Sequence, residues 1–122
     1  MSSIGSYREL KVWQKSMDLS VRIYEITSRF PPEEKYGLTS QMRRAAVSIS
    51  ANIAEGQARR TTGEFLHMLG IARGSLAELE TFLALSERLG LAPRKIGESW
   101  LPDCAEINNM LTGLMRSQST KH

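Results

Sequence analysis

The chain has 122 residues, of which 41% are hydrophobic and 24% are charged, a composition typical of one globular domain that buries its own core. Its one cysteine, Cys104, excludes an internal disulfide bond and fits a reducing compartment as a small packing residue. The N-terminal MSSIGSYREL lacks the apolar centre of a signal peptide, and no apolar run approaches membrane-spanning length, so we expect a cytoplasmic protein without a membrane partner. The net charge of +3 is uneven, because residues 1–63 carry ten Lys or Arg against six Asp or Glu, and residues 64–122 carry six against seven. This balance permits a polyanionic partner.

Amphipathic periodicity predicts four helices and no strands. Their expected bounds are about 7–30, 39–57, 62–89 and 93–116. Because short connections between successive long helices favour antiparallel neighbours, we predict an all-α fold, an antiparallel up-down-up-down four-helix bundle that spans the whole chain.

Two of the helix starts carry capping-box spacing. Ser6 precedes Glu9 by three residues at the start of helix one, and Thr61 precedes Glu64 in the same way at the start of helix three. In each pair the hydroxyl is expected to accept a hydrogen bond from a backbone N–H of the first turn.

Prolines and a glycine mark the other boundaries. Pro31 and Pro32 end helix one, Gly90 follows helix three, and Pro93 suits the first turn of helix four. Pro102 lies inside helix four and removes a backbone hydrogen bond, so we expect a kink or a break there.

The second helix is apolar on two sides. One side forms a core stripe, and the opposite side is also apolar, with a polar seam between them. The core stripe is Leu38, Met42, Ala45, Ala46, Ile49 and Ile53; the other side is Val47, Ala51, Ala54 and Ala58; the seam is Arg44, Ser48, Asn52 and Glu55. Since most helices of a small bundle need only one packing partner, we expect a homo-oligomer in which the second side is a subunit interface and the seam is buried.

The first helix is also apolar on two sides, and a row of cations runs beside one side and roughly opposite the other. We assign Leu10, Trp13, Met17, Val21 and Tyr24 to the core face. The second line is Val12, Leu19, Ile23 and Ile26, which we assign to the oligomer interface. This pattern supports oligomerisation independently of the second helix.

The cations are the best functional indication. Five of them lie within about 60° of one another on helix one, and arginine pairs in and after helix two add to them. As hypothetical nucleic-acid ligands we take Arg8, Lys11, Lys15, Arg22, Arg29, Arg43, Arg59 and Arg60. Repetition of these cations around an oligomer would multiply the number of phosphate contacts. The open alternative is that they are solvated or paired with carboxylates, because neither interleaved aromatic residues nor a nucleic-acid-binding motif accompanies them.

Catalytic and metal-binding patterns are weak. Glu64 and His67 have the Glu-x-x-His spacing of di-iron bundles, but the only other histidine is His122. Arg116 and His122 have a spacing found in metal-independent ribonucleases on helical folds, but this histidine lies in a polar tail that does not fix its geometry. We therefore expect a non-catalytic protein with no metal and no cofactor.

Three segments resemble a known bacterial family. They are RELKVWQKSMDLSVRIYEIT at 8–27, FPPEEKYGLTSQMRRAAVSISANIAEG at 30–56 and ARGSLAELET at 72–81. They are similar to the four-helix-bundle proteins encoded in intervening sequences of 23S ribosomal RNA genes. The resemblance implies antiparallel bundles that assemble into homopentamers. A distant relative, the accessory protein of diversity-generating retroelements, implies in addition a reverse transcriptase and nucleic acid as partners.

Three functions follow from these patterns. The leading hypothesis is a non-catalytic, homo-oligomeric accessory protein that associates with RNA or DNA through repeated basic patches. The alternative is a scaffold ring that docks a protein such as a reverse transcriptase. The least favoured is a metal-independent ribonuclease that uses Arg116 and His122.

Overall fold

The computed structural model describes residues 6–93 and 96–119, and four α-helices account for most of them. The helices are α1 (Lys11–Thr27), α2 (Leu38–Ala58), α3 (Thr62–Arg88) and α4 (Ile96–Ser119). Short 3₁₀ turns at Tyr7–Glu9 and Pro32–Glu34 precede α1 and α2. The four helices therefore have the expected order, with α1 shorter than predicted at both ends.

The helices pack in a cyclic order in which each contacts two neighbours: α1 with α2, α2 with α3, α3 with α4, and α4 with α1. Arg43, near the start of α2, reaches Thr27 at the end of α1. Trp100, near the start of α4, donates its indole N–H to Glu87 near the end of α3 at 3.0 Å. Neighbouring helices thus run antiparallel, which confirms the predicted four-helix bundle.

The core stripe of α2 is the one predicted, and α3 carries a buried stripe of the same kind. All six predicted core residues of α2 are buried, and α3 buries Phe65, Leu69, Ala72, Leu76, Leu79 and Leu83. From α4, Trp100, Cys104, Ile107 and Leu111 complete this core. Regular spacing of large aliphatic residues along these helices leaves one face to bury, and this is why the prediction held.

The buried face of α1 differs from the prediction. Val12, Leu19 and Ile23 are buried in the chain's own core, whereas Met17 is 41% exposed, Val21 59% and Tyr24 45%. The assignment of Met17, Val21 and Tyr24 to the core was therefore wrong, and so was that of Val12, Leu19 and Ile23 to an interface. Ile26, from the same line, is half-buried against the core.

Hydroxyl residues explain why the buried face of α1 was misassigned. Ser16 and Thr27 are buried on the same side as Leu19 and Ile23. Each donates its hydroxyl to the carbonyl four residues earlier, Ser16 to Val12 and Thr27 to Ile23, both at 2.7 Å. Because the helix itself satisfies these hydroxyls, they can be buried at little cost, although periodicity counts them as polar.

The hydroxyls of the two predicted capping boxes begin different elements, one an α-helix and the other a 3₁₀ turn. Thr61 Oγ1 accepts from the Glu64 N–H at 3.1 Å, as predicted. Ser6 Oγ instead accepts from the Arg8 N–H and begins only the 3₁₀ turn. The extended backbone of Leu10 (φ −74°, ψ 123°) then separates this turn from α1, so the predicted continuous helix from residue 7 was wrong.

Helix α4 continues through Pro102, so the break that we allowed there does not occur. Pro93 precedes α4 rather than lying in its first turn. Gly90 follows α3 with φ +74°, a left-handed conformation that favours glycine at a helix C-terminus. Within the described ranges, none of the helices has the length and apolarity needed to cross a bilayer.

Candidate nucleic-acid interface

Three of the eight candidate cations form ion pairs within the chain. Lys15 pairs with Glu106, and Arg22 pairs with Asp103 while also donating to Ser99. These contacts join α1 to α4, so the cation row of α1 is partly neutralised by its neighbour.

Arg59 pairs with Glu55 at 3.2 Å and lies 4.0 Å from the Glu64 carboxylate. Arg59 is the third cation of the candidate set that forms an ion pair within the chain. For Lys15, Arg22 and Arg59, the structure favours the pairing alternative left open by the sequence.

Two further arginines stack on aromatic rings. The Arg8 guanidinium lies 5.7 Å from the ring centroid of Tyr7 and 5.8 Å from that of Trp13. The Arg43 guanidinium lies 4.4 Å from the ring centroid of Tyr24, and its Nε donates to Thr27 Oγ1 at 2.8 Å. Stacking fixes the position of a guanidinium while keeping its charge.

The remaining candidates, Lys11, Arg29 and Arg60, are exposed. Among the described residues no carboxylate lies within ion-pair distance of them. Within the part of the chain that the structure describes, they are the members of the predicted set that neither pair with a carboxylate nor stack on an aromatic ring.

The predicted polar seam is not a buried network. Arg44 and Glu55 are exposed, and only Ser48 and Asn52 are half-buried. Ser48 Oγ lies 2.9 Å from Ser75 Oγ of α3, and the Asn52 amide donates to the Ser48 carbonyl at 2.7 Å. The two ends of the seam point to solvent in the single chain because Arg44 and Glu55 lie toward the outer side of α2. Burial of the seam between subunits stays a prediction.

The outer sides of α1 and α2 form an apolar strip, which we define as Met17, Val21, Val47 and Ala51. Val47 is 43% exposed, and Ala51 is also exposed. Ala54, another candidate for the interface, is half-buried. On α1, Met17 and Val21 are thus exposed, whereas Val12, Leu19 and Ile23 are buried.

At one end of this strip, an open cleft of about 670 Å³ lies between the end of α1 and the start of α2. We call it the Tyr24–Tyr36 cleft; its lining includes Tyr24, Lys35, Tyr36, Arg43, Arg44 and Val47. Sequence reasoning named Arg43 and Arg44 but missed Lys35, Tyr24 and Tyr36. These side chains come from α1, from the turn before α2 and from α2 itself, so no single helical wheel shows them together.

Comparisons with known proteins agree with this fold. A model of the family described as 23S rRNA-intervening sequence protein matches residues 8–113. The chain belongs to this family. A crystal structure of a protein of unknown function from the S23 ribosomal protein family of Bacteroides thetaiotaomicron VPI-5482 is 29% identical, with a TM-score of 0.78. The match covers 86% of this chain and 95% of that one. No curated protein matches the chain.

In this 23S rRNA-intervening sequence family member, the described residues contain no group of three or more His, Cys, Asp or Glu that could hold a metal ion. Glu64 and His67 are exposed, as is Arg116, and His122 lies outside the described residues. The Cys104 thiol is fully buried; burial, and then the negative charge of Glu80, raise its pKa to about 12. Since the thiolate is the reactive form of cysteine, Cys104 is a packing residue and not a nucleophile at neutral pH.

Proposed function

We propose that this protein is a non-catalytic, homo-oligomeric accessory protein that associates with RNA through exposed cations repeated around the assembly. The observation that carries the proposal is the charge left after in-chain pairing. Cations that form no ion pair with a described carboxylate remain on α1, on α2 and in the turn before α2. Three of them line the Tyr24–Tyr36 cleft, and no described carboxylate lines that cleft. Such a surface attracts phosphates without reading bases.

The names of the matched relatives are consistent with an RNA partner. The family name refers to intervening sequences of 23S rRNA, and the structural relative carries the name of a ribosomal protein family. Neither name states what this chain binds.

Self-association is proposed through the apolar strip. Met17, Val21 and Val47 are exposed apolar side chains on the neighbouring helices α1 and α2, and their contact with water is unfavourable. The family resemblance implies a ring of five. A light-scattering mass of 13.7 kDa, that of one chain, for a folded sample would contradict the oligomer. Val21→Lys should lower the mass, whereas Leu101→Lys, at an exposed apolar site on α4, should not.

RNA association is tested by anisotropy titrations of a labelled RNA hairpin at several salt concentrations. If about four phosphates are contacted, affinity should fall roughly 100-fold between about 50 and 200 mM salt. Removing two charges with Lys11→Gln and Arg29→Gln should lower the slope of log affinity against log salt by about 1 to 2.

The matched control is Arg88→Gln with Arg116→Gln, which removes the same charge from exposed positions on α3 and α4. It should change the slope much less. Absence of binding at low salt would sink the proposal. Equal effects of the two double variants would show that net charge alone attracts the RNA and that Lys11 and Arg29 have no special role.

The protein-scaffold alternative rests on the same apolar strip. It predicts that one specific protein co-purifies after nuclease treatment and is lost in Val21→Lys. Recovery of RNA alone would favour the RNA-associated function.

A further inference from the structure

The Tyr24–Tyr36 cleft combines charge with aromatic surface in a way that the rest of the cation set does not. Three cations, Lys35, Arg43 and Arg44, line it together with two tyrosines. The nearby Glu34 carboxylate accepts a hydrogen bond from the Leu38 N–H at 3.2 Å. The Glu34 carboxylate therefore binds a backbone N–H at the start of α2 and does not line the cleft. The charged residues that line the cleft are all positive.

The two tyrosines of the cleft differ in their exposure and in the cation that lies beside each ring. Tyr24 is half-exposed, and its ring lies beneath the Arg43 guanidinium. Nη2 of Arg43 also donates a hydrogen bond to the Tyr24 carbonyl at 3.3 Å. Tyr36 is 88% exposed, and the Lys35 ammonium lies 5.5 Å from its ring centroid. A large aromatic side chain that contributes almost nothing to the core is free to take a ligand.

We infer that this cleft holds an unpaired nucleotide of single-stranded RNA, with its base stacked on Tyr36 and its phosphates beside Lys35 and Arg44. The inference rests on the proposed function and narrows it from RNA in general to a single-stranded segment. Bases within a duplex are stacked on one another and cannot be offered to a protein ring, whereas unpaired bases can. Exposed aromatic rings within a cationic groove are the usual means of binding single strands without sequence preference.

An acidic peptide would use the cations alone. Carboxylates gain nothing from the face of Tyr36, because the face of an aromatic ring is its negative side. The paired presence of stacking surface and cations therefore favours a nucleotide over an acidic side chain.

The experiment compares two labelled probes of equal strand length, oligouridylate and a fully paired RNA duplex. Tyr36→Ala should weaken oligouridylate binding roughly tenfold and leave duplex binding unchanged. Tyr36→Phe keeps the ring and should bind like the wild type. Because Tyr36 is so exposed, neither change should affect folding, and light scattering checks that the assembly is unchanged.

Arg44→Gln should weaken both probes, and Arg88→Gln, outside the cleft, is its charge-matched control. If the wild type binds neither probe at low salt, the proposed function fails. If it binds both but Tyr36→Ala has no effect on oligouridylate, only this inference fails. Competition by polyglutamate as strong as that by unlabelled oligouridylate would overturn the inference in favour of an acidic partner.

Discussion

Two helical glycines in opposite surroundings give a matched test of the packing described here. Gly74, in α3, is exposed, and no side chain or neighbouring helix lies within 4 Å of the position that a Cβ would take. Gly56, in α2, is buried, and a Cβ there would come within 2.9 Å of both Met68 Cβ and Phe65 Cδ1. The same substitution to alanine should therefore change stability in opposite directions.

For Gly74→Ala, replacing glycine inside a helix should raise the free energy of unfolding by about 1 kcal/mol. For a chain of 122 residues this corresponds to a rise in Tm of roughly 4 °C. For Gly56→Ala the same gain is offset by overpacking of about 1–3 kcal/mol, so we expect a net loss of about 1 kcal/mol. A glycine inside a helix is destabilising, and at Gly56 the close packing of α3 against α2 compensates for that cost.

The measurement is thermal and urea unfolding of both variants and the wild type, with light scattering at the same protein concentrations. A lower Tm for Gly74→Ala with unchanged mass would refute the propensity argument. A lower Tm together with a smaller assembly would show that α3 lies in a subunit contact, which contradicts the placement of self-association on the apolar strip. A rise in Tm for Gly56→Ala would refute the close approach of α2 and α3.

Three further predictions concern α4. The pKa of the Cys104 thiol is raised to about 12, so native protein should resist a thiol reagent at pH 8, and unfolding should expose one reactive thiol. Because the thiol ionises in the unfolded chain first, stability should fall by up to about 1.4 kcal/mol per pH unit from about pH 9 toward 12, and Cys104→Ala should remove that part of the slope. A double-mutant cycle on Arg22 and Asp103, both partly exposed, should give a coupling of about 0.2–1 kcal/mol that weakens with salt, whereas a much larger value would mean a desolvated pair. Pro102→Ala restores a helical hydrogen bond and should stabilise the fold by about 2 kcal/mol in urea unfolding; no gain would mean that α4 bends to relieve the proline.

The predictable part of the fold follows from large apolar residues at helical spacing. The stripe of α3 from Phe65 to Leu83 leaves no ambiguity about which side is buried. On α1 two lines of apolar residues could each be the buried side, and the side that is buried is the one that carries Ser16 and Thr27. Their burial depends on hydrogen bonds to their own helix, which a hydrophobicity pattern does not register.

The candidate site was harder to predict because its parts are far apart in the sequence. The pairing of Lys15 with Glu106 joins residues from the first and last helices, and no local spacing indicates it. The Tyr24–Tyr36 cleft likewise draws on three segments. A usable signal did exist in the turn before α2, where Lys35 and Tyr36 stand next to a predicted helix start that carries two arginines.

In-chain pairing decides where the remaining positive charge lies. Asp103 and Glu106 of α4 pair with Arg22 and Lys15, so these two cations on the side of α1 that faces α4 are neutralised. Two arginines outside α1 lie beside its aromatic rings, Arg8 of the preceding 3₁₀ turn against Trp13 and Arg43 of α2 against Tyr24. Lys35, Arg43 and Arg44, which form no ion pair with a described carboxylate, lie together at the Tyr24–Tyr36 cleft. A single-stranded RNA at this cleft would meet stacking surface and cations together, and each additional subunit of the proposed oligomer would repeat both.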